Sequence, residues 1–361
     1  MNRSTRALLL VGTAKGAFLL ESDAGRTNWS LRGPLCEGWP IHDLIVEPAT
    51  GDLLAAGGSP WFGPAVWRSA DLGATWTQSS AGLSYGDDAE PVKTVWSLAV
   101  APDRAILAGV EPAGLFRSTD AGATWQHVEG LTNHPSRPTW QPGAGGLILH
   151  TIVPHPADAD RTWVGISAVG VFETRDGGAT WEPRNRGVRA DFIPGPPPET
   201  GHCVHKFAAA AGEPETLYQQ NHCGVYRSDD GGLGWTEITG ALPSEFGFGL
   251  VTHPRDPATA WVIPLSRPEE GRYMPDGSAA VWRTHDRGAS WIRSADGLPQ
   301  ENAYLGVLRE AFARDALDPV GLAFGTSTGQ LWHSRDGGVR WDLISRDLPQ
   351  IWAVEALVLD A

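Results

Sequence analysis

Read for hydrophobic and polar positions alone, the chain is a succession of short apolar segments separated by turns rich in Gly, Pro and Asp. Ala7–Val11, Gly16–Leu20, Val95–Val100, Ala105–Val110 and Gly114–Arg117 are typical. They are four to six residues long, dominated by Val, Leu, Ile and aromatic side chains, and show no helical period. Such lengths between such turns predict strands throughout.

The turns repeat. Ser69-x-Asp71-x-Gly73-x-Thr75-Trp76 recurs from Ser118 to Trp125 and from Thr174 to Trp181. Looser copies run from Ser228 to Trp235, Thr284 to Trp291 and Ser334 to Trp341, and a degenerate one ends at Trp29. Successive closing tryptophans are 47, 49, 56, 54, 56 and 50 residues apart. A period near 50 made of short strands predicts propeller blades of four antiparallel strands. The Asp side chain can accept hydrogen bonds from amides beyond it, and the Gly supplies the positive φ that the turn requires. Seven copies predict an all-β, seven-bladed propeller, with a single domain over residues 1–361. Only two strands, Ala7–Val11 and Gly16–Leu20, precede the first turn, so an inner strand is missing there. Ile351–Val358 has the character to supply it and to close the ring from the C-terminal side, leaving no free inner edge.

In that topology the signature turns share one face. The irregular segments 79–94, 129–149, 184–204 and 265–279 fall on the other, which is therefore the expected working face.

Charge and composition narrow the partners. A net charge of −14 speaks against nucleic acid and anionic membrane as partners. No apolar run approaches a membrane span. Ala7–Val11 is too short for a secretory signal and reads as a strand, so a cytoplasmic location is expected. Three cysteines, Cys36, Cys203 and Cys223, do not make a disulfide framework.

Aligning the inner strands on their trailing prolines gives a column. His42, Trp96, His150 and Phe248 each stand six residues before Pro48, Pro102, Pro156 and Pro254; His205, Tyr304 and Trp352 hold the matching place by pattern. Three imidazoles from different blades, with an open position, suit Zn, Mn, Fe or Cu. Blade five adds His202, Cys203, His222 and Cys223, which strand pairing brings beside His205. The expected metal ligands are His42, His150, His205 and His222. The same histidines can equally serve as hydrogen-bonded lining of a wet channel. The insertion in blade six carries Arg267, Arg272 and Tyr273, and the arginines suit bidentate contacts to carboxylate or phosphate. Asp191 lies with Arg189 and Glu199 in the Pro-rich loop before blade five. Asp43, Asp87, Asp88, Glu90, Glu245 and Glu301 lie near inner-strand starts, and Trp61, Trp96, Trp140 and Trp352 are candidate sugar platforms. Arg267, Arg272, Tyr273 and Asp191 are the expected catalytic set.

The signature is identified as the Asp-box, or BNR repeat, and the resemblance covers almost the whole chain. Proteins with Asp-box propellers include sialidases, xyloglucan-active glycosidases, sorting-receptor ectodomains and a photosystem assembly factor. Tyr218–Gly232 and Arg272–Gly277 resemble bacterial single-propeller proteins labelled glycosyl-hydrolase-like or sialidase-like. The sialidase pattern fits poorly: it has six blades and an Arg-Ile-Pro motif, whereas Asp191-Phe192-Ile193-Pro194 lacks the arginine. Three functions compete. The first is a metal-dependent hydrolase or lyase at the channel mouth, acting on a small, anionic or sugar-like substrate. The second is a metal-free glycosidase using paired carboxylates. The third is a binding scaffold with a protein partner on the loop-rich face.

Overall fold

The computed structural model describes residues 5–59 and 61–359. Seven antiparallel four-stranded sheets follow one another, each an up-and-down meander. Blade three is representative, with Thr94–Val100 innermost, then Ile106–Glu111, Gly114–Ser118 and Gln126–His127. The inner strands pack one against the next around an axis: Ile41–Val46, Thr94–Val100, Leu149–Pro154, Val204–Ala210, Gly247–Thr252, Phe312–Arg314 and Ile351–Leu359.

The last of these strands closes the ring. Ile351–Leu359 pairs with Arg6–Thr13 in the order C-terminal strand, Arg6–Thr13, Gly16–Asp23, Ser30–Leu35. Both ends of the chain thus build one blade, and the innermost edge is covered. On the opposite face a buried ion pair, Arg26 to Asp315 at 2.8 Å, ties the degenerate first turn to blade seven.

Each signature turn is a small hydrogen-bonded cage. In blade three, Ser118 Oγ donates to Asp120 Oδ1 and accepts from Gly122 N, while Thr124 donates from both N and Oγ1 to the Asp120 carboxylate at 2.9 and 2.6 Å. The same contacts recur at Asp71, Asp176 and Asp286. The first copy keeps a single bond, Gly25 N to Asp23 Oδ1. Gly122 adopts φ 84°, and the Trp125 ring lies over it, where a Cβ would sit 3.6 Å from the ring.

The tryptophan that ends each turn is the wedge between blades. Trp125 of blade three packs with Leu54 and Val66 of blade two, and Trp181 of blade four with Leu107 and Leu115 of blade three. Trp235, Trp291 and Trp341 likewise join apolar side chains of the preceding blade. Their indole N–H groups are satisfied there: Trp235 Nε1 donates to Arg184 O at 2.8 Å and Trp291 Nε1 to Ile238 O at 2.7 Å.

Strand alternation places the loops from second to third strand, and from outer strand to the next inner strand, on the face away from these turns. The long segments before the inner strands of blades three, four, five and seven, and the insertion after Ala260–Pro264, therefore share that face.

The cage imposes a left-handed backbone on the residue before its glycine, and in blade three this is exposed Ala121 at φ 60°. An alanine there carries about 1–2 kcal/mol of strain that glycine escapes. Part of that gain is offset by the greater unfolded-state freedom of glycine. Ala121→Gly should therefore stabilise the protein by about 0.5–1 kcal/mol in urea unfolding. A decrease in the unfolding midpoint would contradict this account of the turn.

Candidate functional site

The residues at the channel mouth are set by a backbone irregularity. In six blades the pairing of the inner strand with its neighbour slips by one residue, and the residue left over is His42, Trp96, His150, His205, Phe248 or Trp352. A bulge bends the strand and re-aims the unpaired side chain. Here those side chains reach around the ring. His42 is stacked between Trp352 and Trp96, with ring centroids 4.5 and 4.0 Å away. His150 Nε2 donates to Val204 O at 3.1 Å, and His205 Nδ1 donates to Gly247 O at 2.6 Å, each crossing to the next inner strand.

Blade seven departs from the expected column. Five residues after a column residue, a backbone amide closes the turn to the second strand: Glu47 N to Asp52 O, Ala101 N to Ala105 O, His155 N to Arg161 O and His253 N to Thr259 O. In blade seven that amide is Asp315 N, bonded to Gly321 O, so the column residue is Glu310 and not Tyr304. The segment carrying Tyr304 is drawn outward by the blade-six insertion, through Met274 N to Leu305 O and Ala303 N to Gly277 O. Tyr304 stands 64% exposed, edge-on to Tyr273 at 5.1 Å.

The expected cluster of three column histidines does not assemble. His42 is enclosed by its two tryptophans, and His150 is satisfied at both nitrogens, its Nδ1 accepting from Thr151 Oγ1 at 2.9 Å. Burial pushes the His42 pKa down to about 4, and holds those of His150 and His205 well below the usual histidine value. All three are therefore neutral imidazoles. What does come together is Cys203, His205 and His222, whose donor atoms all lie within 4.8 Å of one another. Cys203 Sγ is 3.4 Å from His205 Nε2. One sulfur and two nitrogens are the set among the described residues that could hold a soft divalent ion. Arg309 and Arg272 lie beside it, and their charge opposes a cation. The remaining blade-five candidates stand apart. His202 Nε2 donates to Pro198 O, and Cys203 and Cys223 are free thiols.

The expected catalytic set is divided. Arg267 is committed to Glu245 at 3.2 Å, and Arg189 binds both Glu245 and Asp191, so Asp191 is half of a surface ion pair. Arg267 and Tyr273 line a polar cavity of about 620 Å³ with Glu245, Glu270 and Asp276. Arg272 turns the other way, toward Phe246 and the channel mouth. A second, apolar cavity of about 730 Å³ opens beside Cys203 and His222, walled by Trp140, Pro142, Phe192 and Pro198. Of the candidate platforms, Trp61 stands free at a hairpin tip, 93% exposed, and Trp140 is buried with Nε1 on Ser136 Oγ. Trp96 and Trp352 are half-buried at the mouth.

Apart from Asp43, sequence reasoning missed the charges inside the channel. Lys206 follows His205 and is ion-paired with Glu310 from two blades away. Glu310 Oε1 is buried with no hydrogen-bond partner. Asp43 accepts from Leu44 N and from Leu98 N of the next blade, a stitch between inner strands. Deeper, Glu355 sits on the closing strand near Arg314, Lys206 and Glu310, and burial raises its pKa to about 7. The available signal was a charge interrupting an apolar inner-strand run, as in Ala353-Val354-Glu355-Ala356-Leu357.

No family model matches the sequence. The chain is similar to a xyloglucanase of Paenibacillus sp., 27% identical over 266 residues, which are 65% of this chain and 24% of that protein. It is also similar to an oligoxyloglucan-reducing end-specific xyloglucanase of Emericella nidulans, 24% identical over 341 residues, 82% of this chain and 38% of that protein. The chain thus spans between about a quarter and two fifths of the length of these relatives. Among solved structures it resembles an ancestral GH74 enzyme, with TM-score 0.57 and 17% identity over 84% of this chain and 38% of that one. It also resembles YCF48 bound to D1 peptide, with TM-score 0.56 and 13% identity over 86% of this chain and 82% of that one. At these identities the structural likeness is one of fold.

A carboxyl group with a raised pKa makes the fold less stable once it ionises. For Glu355 the loss sets in as pH rises from the ordinary value of 4.5 through about 7. Glu355→Gln, which cannot ionise, should therefore unfold at higher temperature than the parent at pH 8 and at about the same temperature at pH 4. Equal melting temperatures at both pH values would remove Glu355 from the buried channel.

Proposed function

We propose that this chain is a glycoside hydrolase working without a metal, with its site in the channel and at its mouth on the loop-rich face. The observation that carries the reading is a pair of acids in the channel, Glu310 in the column that holds the aromatic side chains and Glu355 below it. Glu355, protonated up to about pH 7, can give a proton to a glycosidic oxygen. Glu310 is the second carboxylate of the channel, with the role of attacking the anomeric carbon or activating water. Lys206, ion-paired with Glu310 and near Glu355, neutralises charge that would otherwise accumulate. Trp352 and Trp96, half-buried at the mouth on either side of His42, carry flat apolar rings of the kind that pack on sugars. The xyloglucanase relatives, one of them matched over 82% of this chain, support a carbohydrate as substrate.

The test is release of reducing sugar from xyloglucan oligosaccharides and other glucans by the purified chain. Turnover should persist in EDTA, and its basic limb should lie near pH 7, where Glu355 loses its proton. Glu310→Gln and Glu355→Gln should each lower kcat by about 10²–10⁴ with the fold intact. Turnover abolished by chelator and restored by zinc would replace this mechanism with a metal-dependent one. Full activity in both variants would place the site elsewhere on the face.

A further inference from the structure

Two guanidinium groups, Arg272 and Arg309, lie near one another at the channel mouth, and neither forms an ion pair among the described residues. The Arg309 guanidinium lies 4.9 Å from the Phe248 ring, and its buried Nε has no hydrogen-bond partner. The Arg272 guanidinium lies 5.9 Å from the Phe246 ring. These two phenyl rings are 5.2 Å apart, and the His205 ring is 5.0 and 4.5 Å from them, so both cations border one corner. Glu245 is held by Arg189 and Arg267, and Glu310, whose charge reaches Arg309, is ion-paired with Lys206. The other acids of the insertion, Glu269, Glu270 and Asp276, are exposed, as Arg272 itself is. Like charges brought together at a partly dry site repel one another unless an anion lies between them. Planar guanidinium forks match carboxylate and phosphate oxygens in geometry.

The backbone gives independent support. Arg272 adopts φ 59°, the left-handed region that costs a side-chain-bearing residue about 1–2 kcal/mol. It directly follows Gly271, at φ 109°, within the insertion. A strained residue whose side chain makes no ion pair among the described residues, and is aimed at the mouth of a channel, marks a site that needs that side chain.

We infer that Arg272 and Arg309 form an anion subsite that receives the carboxylate or phosphate of a small ligand at the channel mouth. Under the function proposed above the ligand is a sugar acid or a sugar phosphate; the inference rests on that reading for the sugar but not for the charge.

Calorimetric titration of the full chain with glucuronate, glucose 6-phosphate and glucose tests this without requiring turnover. At least one anion should bind about tenfold or more tighter than glucose, and the preference should weaken as salt is raised. Preference for glucuronate alone assigns a carboxylate, and for glucose 6-phosphate alone a phosphate. Arg309→Met and Arg272→Gly should each abolish the preference. Arg272→Gly should do so while melting no lower than the parent, since glycine adopts this φ freely; a purely structural arginine would not behave so. If Arg309→Met fails to fold, Arg272→Gly decides alone. Equal binding of all three ligands, or an anion preference that survives Arg272→Gly, overturns the subsite. An anion preference in a chain that hydrolyses no glycan leaves the subsite standing and removes the hydrolase.

Discussion

The structure depends on one contact made again and again: the indole of a signature turn buried against the blade before it. A single four-stranded blade cannot bury both of its faces. Trp125, Trp181, Trp235, Trp291 and Trp341 each carry a large apolar surface across the gap, and the Asp cage fixes where that ring points. Aspartate and tryptophan are thus parts of one device. The aspartates are spent on backbone amides and hydroxyls, which hold Asp71, Asp120 and Asp286 down to a pKa of about 2. These carboxylates are bound into the turns that carry the indoles.

A ring held together in this way leaves the axis free for other chemistry. The inner strands touch their neighbours through few backbone bonds, so side chains do the stitching: Asp43 to Leu98, Ser97 to Leu149, His150 to Val204 and His205 to Gly247. Two of the three column histidines are therefore partners of backbone carbonyls, and the third is a stacked ring. Their neutrality at physiological pH follows from burial. The polar column is a consequence of closing seven sheets on one another, since a carbonyl at a sheet edge still requires a donor.

What distinguishes this channel from a merely closed one is charge without a partner. Glu310 keeps one oxygen unpaired, Glu355 is raised to about 7, and Arg309 has a buried nitrogen with nothing to bind. Buried polar groups are normally satisfied, and sites where several are not are where a ligand completes the structure. These groups come from blades one and seven, the two that meet at the closure, together with Lys206 of blade five.

Blade number, strand order, the closing role of Ile351–Val358 and the face on which the loops gather were all legible in the chain alone. Those features are written in local repeats, and a Ser-x-Asp-x-Gly-x-Thr-Trp turn has one low-energy geometry wherever it occurs. The sequence also located six of the seven column residues, because the trailing turn is equally local. Tyr304 was misplaced because the segment before the blade-seven inner strand is shaped by hydrogen bonds to an insertion in another blade. Only the tertiary structure decided that His42 and His150 bond and stack instead of joining His205, that Arg267 is held by Glu245 while Arg272 is not, and that Glu310, Lys206 and Glu355 share one channel. Those outcomes depend on which side chains meet across an axis, between residues up to 312 positions apart for Asp43 and Glu355, and no local pattern encodes a meeting of that kind.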